Sequence, residues 1–118
     1  MVDPFDIEWV ESDPLDRNVV MLKSLIAARE SAGKHTGQEY LSPEEVRDLI
    51  RDPDRIDESA QRISSDVYYQ RDSSYTNPYA RAVVRFNDEE NGIVVSWSRY
   101  KKPVSSYGVK YKKPGSQW

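Results

Sequence analysis

The stretch NPYARAVVRFNDEENGIVVSWSRY, residues 77–100, decides the fold, because polarity alternates with a period of two through both of its halves. Ala80, Ala82, Val84 and Phe86 point to one side of a strand, and Tyr79, Arg81, Val83 and Arg85 point to the other. The intervening NDEENG is a turn, with Asn91-Gly92 tolerant of positive φ. Beyond it, Ile93, Val95, Trp97 and Arg99 alternate with Val94, Ser96, Ser98 and Tyr100. The reading is an antiparallel hairpin with arginines on one face. If that face is solvated, pairing with Asp72 or Glu89 accounts for them. If it is covered, two guanidinium groups there are costly unless an anion joins them.

Working outward, DVYYQR (66–71) reads as a short aromatic strand, with Ile56 and Ile63 as further strand candidates. After Pro103, VSSYGVKY (104–111) reads as a last strand or ordered extension, and residues 113–118 as a loosely held tail. Towards the start, SPEEVRDLIRDPD (42–54) is a well-marked helix. Ser42 and Glu45 have the capping-box spacing, Pro43 suits the first turn, and Asp52-Pro53 stops the element. An earlier helix is expected from Asp13 as cap and Pro14 as first residue. Its apolar stripe would be Val19, Leu22, Leu25 and Ile26, and Gly33 would end it. Residues 1–12 read as a poorly ordered or edge-packed arm. These elements predict a single α+β domain over 1–118, with two N-terminal helices packed on a three- to five-stranded antiparallel sheet.

Composition narrows the chemistry. The 118 residues contain no cysteine and one histidine, His35, which excludes thiolate metal sites, disulfides and a cysteine nucleophile. The acids at Asp52, Asp54, Asp57 and Glu58 lack an EF-hand spacing and are broken by Pro53, so a helix stop and turn is expected rather than a metal site. With His35 thirty or more residues from the serines near acids, a Ser–His–Asp triad is not supported. No cofactor and no membrane partner are expected, and the acidic start points to a cytoplasmic protein. The net charge of −3 conceals a division: residues 1–60 carry −8 and residues 61–118 carry +5. From Arg99 to Lys113 the charges are all basic, with Tyr100, Tyr107 and Tyr111 interleaved. This is either a phosphate-tracking strip with stacking rings or an edge strand guarded by lysines.

A metal-independent ribonuclease needs a base for the 2′-hydroxyl, an acid for the leaving oxygen and cations for the phosphorane. His35 is the candidate acid–base group, and it also reads plainly as a solvated loop residue between glycines. Arg81, Arg85, Arg99 and Lys102 are candidate phosphate cations, and Tyr68, Tyr69 and Tyr100 candidate stacking rings.

The run of "KH", SPEEVRDLIRDPDRIDES, VYYQRD, YARAVVRF and GIVVSWSRY, over roughly residues 34–100, resembles the barnase–EndoU–colicin–RelE superfamily, in its phage- and mobile-element-borne form. The resemblance implies an RNase-like fold and metal-independent hydrolysis of RNA, often as a toxin. His35 matches the motif histidine, and Ser96 matches the hydroxyl residue of the last core strand. Arg81 or Arg85 falls on the strand where a phosphate cation sits. The other reading is a non-catalytic, acidic protein-binding module of the immunity, antitoxin or phage-inhibitor kind, which the pI of about 5.2 favours. RNA and a neutralising or target protein are the expected partners.

Overall fold

The computed structural model describes residues 2–31, 40–87, 91–116 and 118. After a 3-10 turn at Pro4–Asp6, the elements run β1 (Ile7–Ser12), β2 (Asn18–Leu22), α1 (Lys23–Ser31), α2 (Pro43–Arg51), β3 (Arg55–Ser59), β4 (Ser65–Arg71), β5 (Tyr79–Phe86), β6 (Asn91–Tyr100) and β7 (Ser106–Lys112). The strands form one sheet in the order β1-β2-β6-β5-β4-β3-β7. Only β2 and β6 pair in parallel; every other neighbour is antiparallel.

This corrects the expected two-helix layer on a three- to five-stranded antiparallel sheet. Among the described residues the sheet is mixed and seven-stranded, and a strand hairpin precedes both helices. β1 takes up half of the stretch read as an arm. The main misreading lies at Asp13-Pro14. The Asp13 carboxylate does accept backbone N–H groups, from Leu15 and Arg17 at 2.9 Å, as a helix cap would. Here those bonds close the β1–β2 turn instead, with Asp16 at φ 60 and Asp13 N–H donating to the Arg17 carbonyl. The Val19-Val20-Met21 run then continues as a strand, where β-branched side chains pack well. Helix α1 begins only at Lys23, where Asp6 accepts from the Ser24 N–H and hydroxyl.

Helix α2 forms where its local chemistry places it. Ser42 accepts from the Glu45 N–H, and Glu45 accepts from the Ser42 N–H, satisfying two otherwise orphaned donors. Its buried face is Val46, Leu49 and Ile50. That face packs with Trp9, Ile56, Tyr68, Ala80, Ala82, Val84 and Trp97, and the Trp9 indole N–H donates to the Pro43 carbonyl. We call this side of the sheet the helix face and the other the open face. Among the described residues no helix is long and apolar enough to cross a membrane.

Two irregularities shape the open face. First, a bulge between Val83 and Val84 of β5 leaves Val95 of β6 without a direct partner, because Val84 faces Val94 while Val83 faces Ser96. The bulge re-phases β6. Val94, Trp97 and Arg99 share the helix face with Val84 and Ala82, whereas Ile93, Ser96, Ser98 and Tyr100 share the open face. Strict alternation had put Ile93 with Trp97. Secondly, β6 and β7 run parallel, since each step between them across the sheet is antiparallel. Residues 101–105 must therefore cross a face of the sheet. The Val104 N–H donates to the Tyr69 hydroxyl at 3.1 Å, which places the crossing on the open face.

Candidate functional site

On the open face, register brings the arginines of β5 against the hydroxyls of β6. Arg81 lies opposite Ser98, Val83 opposite Ser96, Tyr79 opposite Tyr100, and Arg85 opposite Ile93. Ser96 is thus diagonal to both Arg81 and Arg85, a separation of about 7–8 Å between backbones. The Arg81 guanidinium stacks 3.4 Å from the centroid of the Tyr100 ring. From α1, Arg29 reaches the edge of β6 beyond its pairing with β2 and touches side chains of both faces. Its Nη2 donates to Ser98 Oγ at 2.8 Å, and its guanidinium lies 4.7 Å from the Trp97 ring centroid. Arg29 therefore contacts Ser98 directly, and Arg81 lies opposite it in register.

The one acid on the described open face near this cluster is Asp57 of β3, paired with Arg55 at 2.7 Å. Within β4, β5 and β6, no acidic side chain faces this way: β4 contributes Ser65, Val67, Tyr69 and Arg71, and β5 contributes Tyr79, Arg81, Val83 and Arg85. Among the described residues Arg81 and Arg85 form no ion pair, and Arg81 rests on the face of Tyr100 rather than on a carboxylate. A ring attracts a guanidinium by roughly 0.5–2 kcal/mol and leaves its charge uncancelled. Burial pulls the Arg29 pKa below its ordinary value, opposed by the neighbouring Tyr100 and Tyr40. Arg85 is exposed, and Lys101 and Lys102, also exposed, begin the crossing segment just after Tyr100.

The residues singled out from sequence do not all meet here. Arg81, Arg85, Ser96 and Tyr100 share the open face, and Lys102 lies beside it. Arg99 points the other way: it is buried, donates to the Asn77 carbonyl at 3.2 Å and stacks on Tyr75 at 3.4 Å. Tyr68 and Tyr69 are fully buried, Tyr68 in the core of the helix face and Tyr69 against Trp118, so neither ring is exposed in the free protein. His35 lies outside the described residues. Arg29 was missed, because an arginine in the last turn of a helix reads as a complement to the helix dipole.

A second polar cluster sits at the opposite end of the sheet, on the helix face. Arg17 bridges Asp13 at 2.9 Å and Asp66 at 2.7 Å, and Lys110 joins Asp66 at 2.9 Å. Tyr68 donates its hydroxyl to Asp13. Burial first, and then the hydrogen bond and charge of Asp13, push the Tyr68 phenol far above its ordinary pKa. Arg17, Asp66 and Lys110 line a cavity of about 540 Å³ with Ser59, Phe86 and Tyr107. Here two carboxylates balance two cations, so the cluster holds itself together and has no charge left to bind an ion. Among the described residues no group of three or more acids or histidines is arranged to hold a metal. The open face is the better candidate. No family model, no curated protein and no solved structure matches this chain.

Proposed function

We propose that the chain is an RNA-acting domain, a metal-independent ribonuclease of the cytoplasm. Its phosphate would be held on the open face by Arg29, Arg81 and Arg85. The observation that carries this reading is the placement of Arg81 on Tyr100 and opposite Ser98, to which Arg29 donates, beside Ser96, with no acid on the open face of β4, β5 or β6. Cationic groups fixed before substrate arrives can stabilise a phosphorane without reorganising. Ser96 would orient a phosphate oxygen, and Tyr100, already stacked on Arg81, would brace that guanidinium. His35 supplies the acid–base function in this reading: it takes the 2′-hydroxyl proton and returns a proton to the leaving 5′-oxygen. The pattern resemblance over residues 34–100 supports the same assignment.

The test is direct. Purified protein is incubated with a broad set of structured and unstructured RNAs, beside His35→Ala, Arg81→Ala and Ser96→Ala. Cleavage by the parent, abolished by His35→Ala and cut at least 100-fold by Arg81→Ala, is the expected result. An intact RNA pool with the folded parent, and no salt-sensitive binding, would defeat the proposal and leave the acidic protein-binding module as the account to pursue.

A further inference from the structure

Beyond β7 the chain turns back over the sheet. Pro114 and Gly115 make the turn, with Gly115 at φ 81, a left-handed conformation that glycine adopts freely. The Ser116 N–H closes it on the Lys113 carbonyl at 3.0 Å. The turn delivers the Trp118 indole to the open face, where three side chains surround it. Tyr69 meets it edge-on at 4.8 Å between centroids, Tyr79 lies tilted at 5.0 Å, and the Arg55 guanidinium sits 5.1 Å over its ring. Arg71 in turn lies 5.9 Å from the Tyr79 ring.

Two rings and a guanidinium around a flat heteroaromatic group are what a protein offers an unstacked nucleobase. The position fits as well as the chemistry. Tyr79, a wall of the cage, precedes Arg81, a member of the phosphate cluster, by two residues on one face of β5. That is a step of about 7 Å along the strand, similar to the span from base to phosphate within one nucleotide. Tyr79 also lies opposite Tyr100, which stacks on Arg81. Meanwhile Trp118 is held by its ring: the described hydrogen bond of its own backbone is local, from its N–H to Ser116 Oγ.

We infer that the Tyr69–Tyr79–Arg55 cage is a nucleobase subsite of the RNA-binding face, occupied in the free protein by Trp118 as an intramolecular plug. The inference rests on the reading of the Arg29–Arg81 cluster as a phosphate site. It specifies the substrate as single-stranded at that position, because a paired base cannot enter between the rings. It also makes tail displacement a step in binding. A plug seated about 90% of the time would weaken base binding roughly tenfold, since only the open fraction competes.

The experiment uses adenosine monophosphate and inorganic phosphate as separate probes. Calorimetric titration of the parent, Trp118→Ala and the double variant Trp118→Ala/Tyr79→Ala should show inorganic phosphate binding all three alike. Adenosine monophosphate should bind Trp118→Ala roughly tenfold more tightly than the parent. Tyr79→Ala should remove that gain. In the parent, the nucleotide but not phosphate should shift the Trp118 contribution to the emission, taken as the difference from Trp118→Ala, towards that of a water-exposed indole. This second readout needs no variant to bind. Phosphate binding without any gain for Trp118→Ala, and with no emission change in the parent, would overturn the plug while sparing the phosphate site. Absence of binding by both probes in every protein would overturn the phosphate site and the plug together.

Discussion

Replacing Asp13 by alanine removes the hub of the buried polar cluster, and the cost can be worked through contact by contact. Its side chain is fully buried and accepts from the N–H groups of Leu15 and Arg17, from Arg17 Nε at 2.9 Å, and from the Tyr68 hydroxyl. The two backbone donors lie in a part-buried turn, where water can replace the carboxylate at modest cost. Arg17 keeps Asp66 at 2.7 Å and so is not left unpaired. The Tyr68 hydroxyl is the group that suffers, because it stays buried and loses its acceptor, a penalty of about 1–3 kcal/mol. Adding one charge-assisted bond from Arg17 gives a total of roughly 3–5 kcal/mol. For a chain of this length that is a fall in Tm of about 10–20 °C.

The check is urea unfolding at constant m-value, with Tyr68→Phe and the double variant alongside. Tyr68→Phe alone should cost only about 1 kcal/mol, since Asp13 keeps its other donors. The double variant should be less destabilised than the sum of the two by about 1–2 kcal/mol, because no orphaned hydroxyl remains. An Asp13→Ala cost under 1 kcal/mol, or strict additivity, would refute the argument that this network organises the β1–β2 turn against β4.

Four further expectations follow from the same structure. Burial raises the pKa of both Tyr68 and Tyr69, so the native state keeps protons that unfolded tyrosines release. Stability is therefore fully present below about pH 10 and falls above it, by up to about 1.4 kcal/mol per pH unit for each group. Tyr68→Phe should flatten that alkaline limb, and an unchanged limb counts against the assignment. Gly92→Ala should cost about 1–3 kcal/mol in chemical denaturation, as the added methyl would lie 2.5 Å from the Phe86 ring and 2.7 Å from Val84. Ser42→Ala should cost about 1 kcal/mol by loss of the α2 cap, with Ser42→Asp nearly neutral. In binding of a single-stranded oligonucleotide, Arg81→Ala should lower the slope of log K against log salt by about 0.7, and an unaltered slope would remove Arg81 from the phosphate contacts.

Some of the molecule was legible without any fold. Helix α2 is set by bonds within five residues of its ends, Ser42 with Glu45 and Asp52 before Pro53, and these form wherever the segment sits. The β5–β6 hairpin is marked by alternation, although Asn91 and Gly92, read as turn residues, open β6 instead. From those two elements the sequence alone determined a helix over a sheet, with Arg81 and Arg85 sharing one face of a strand and four open-face members (Arg81, Arg85, Ser96 and Tyr100) among the candidates.

What tertiary structure decided were the choices that local chemistry leaves even. Asp13-Pro14 can cap a helix or close a hairpin with the same carboxylate. The hairpin is selected because Arg17 and Asp13 meet Asp66 and Tyr68, 49 and 55 residues away. The bulge at Val83/Val84 is another such choice: a one-residue slip turns Ile93 away from Trp97, and no periodicity announces it. Arg99 was read as a ligand and is buried on the helix face, while Arg29 was passed over and reaches Ser98 across 69 positions of sequence. Side-chain type tells which contacts a residue is able to make; only the assembled fold brings the partner into range.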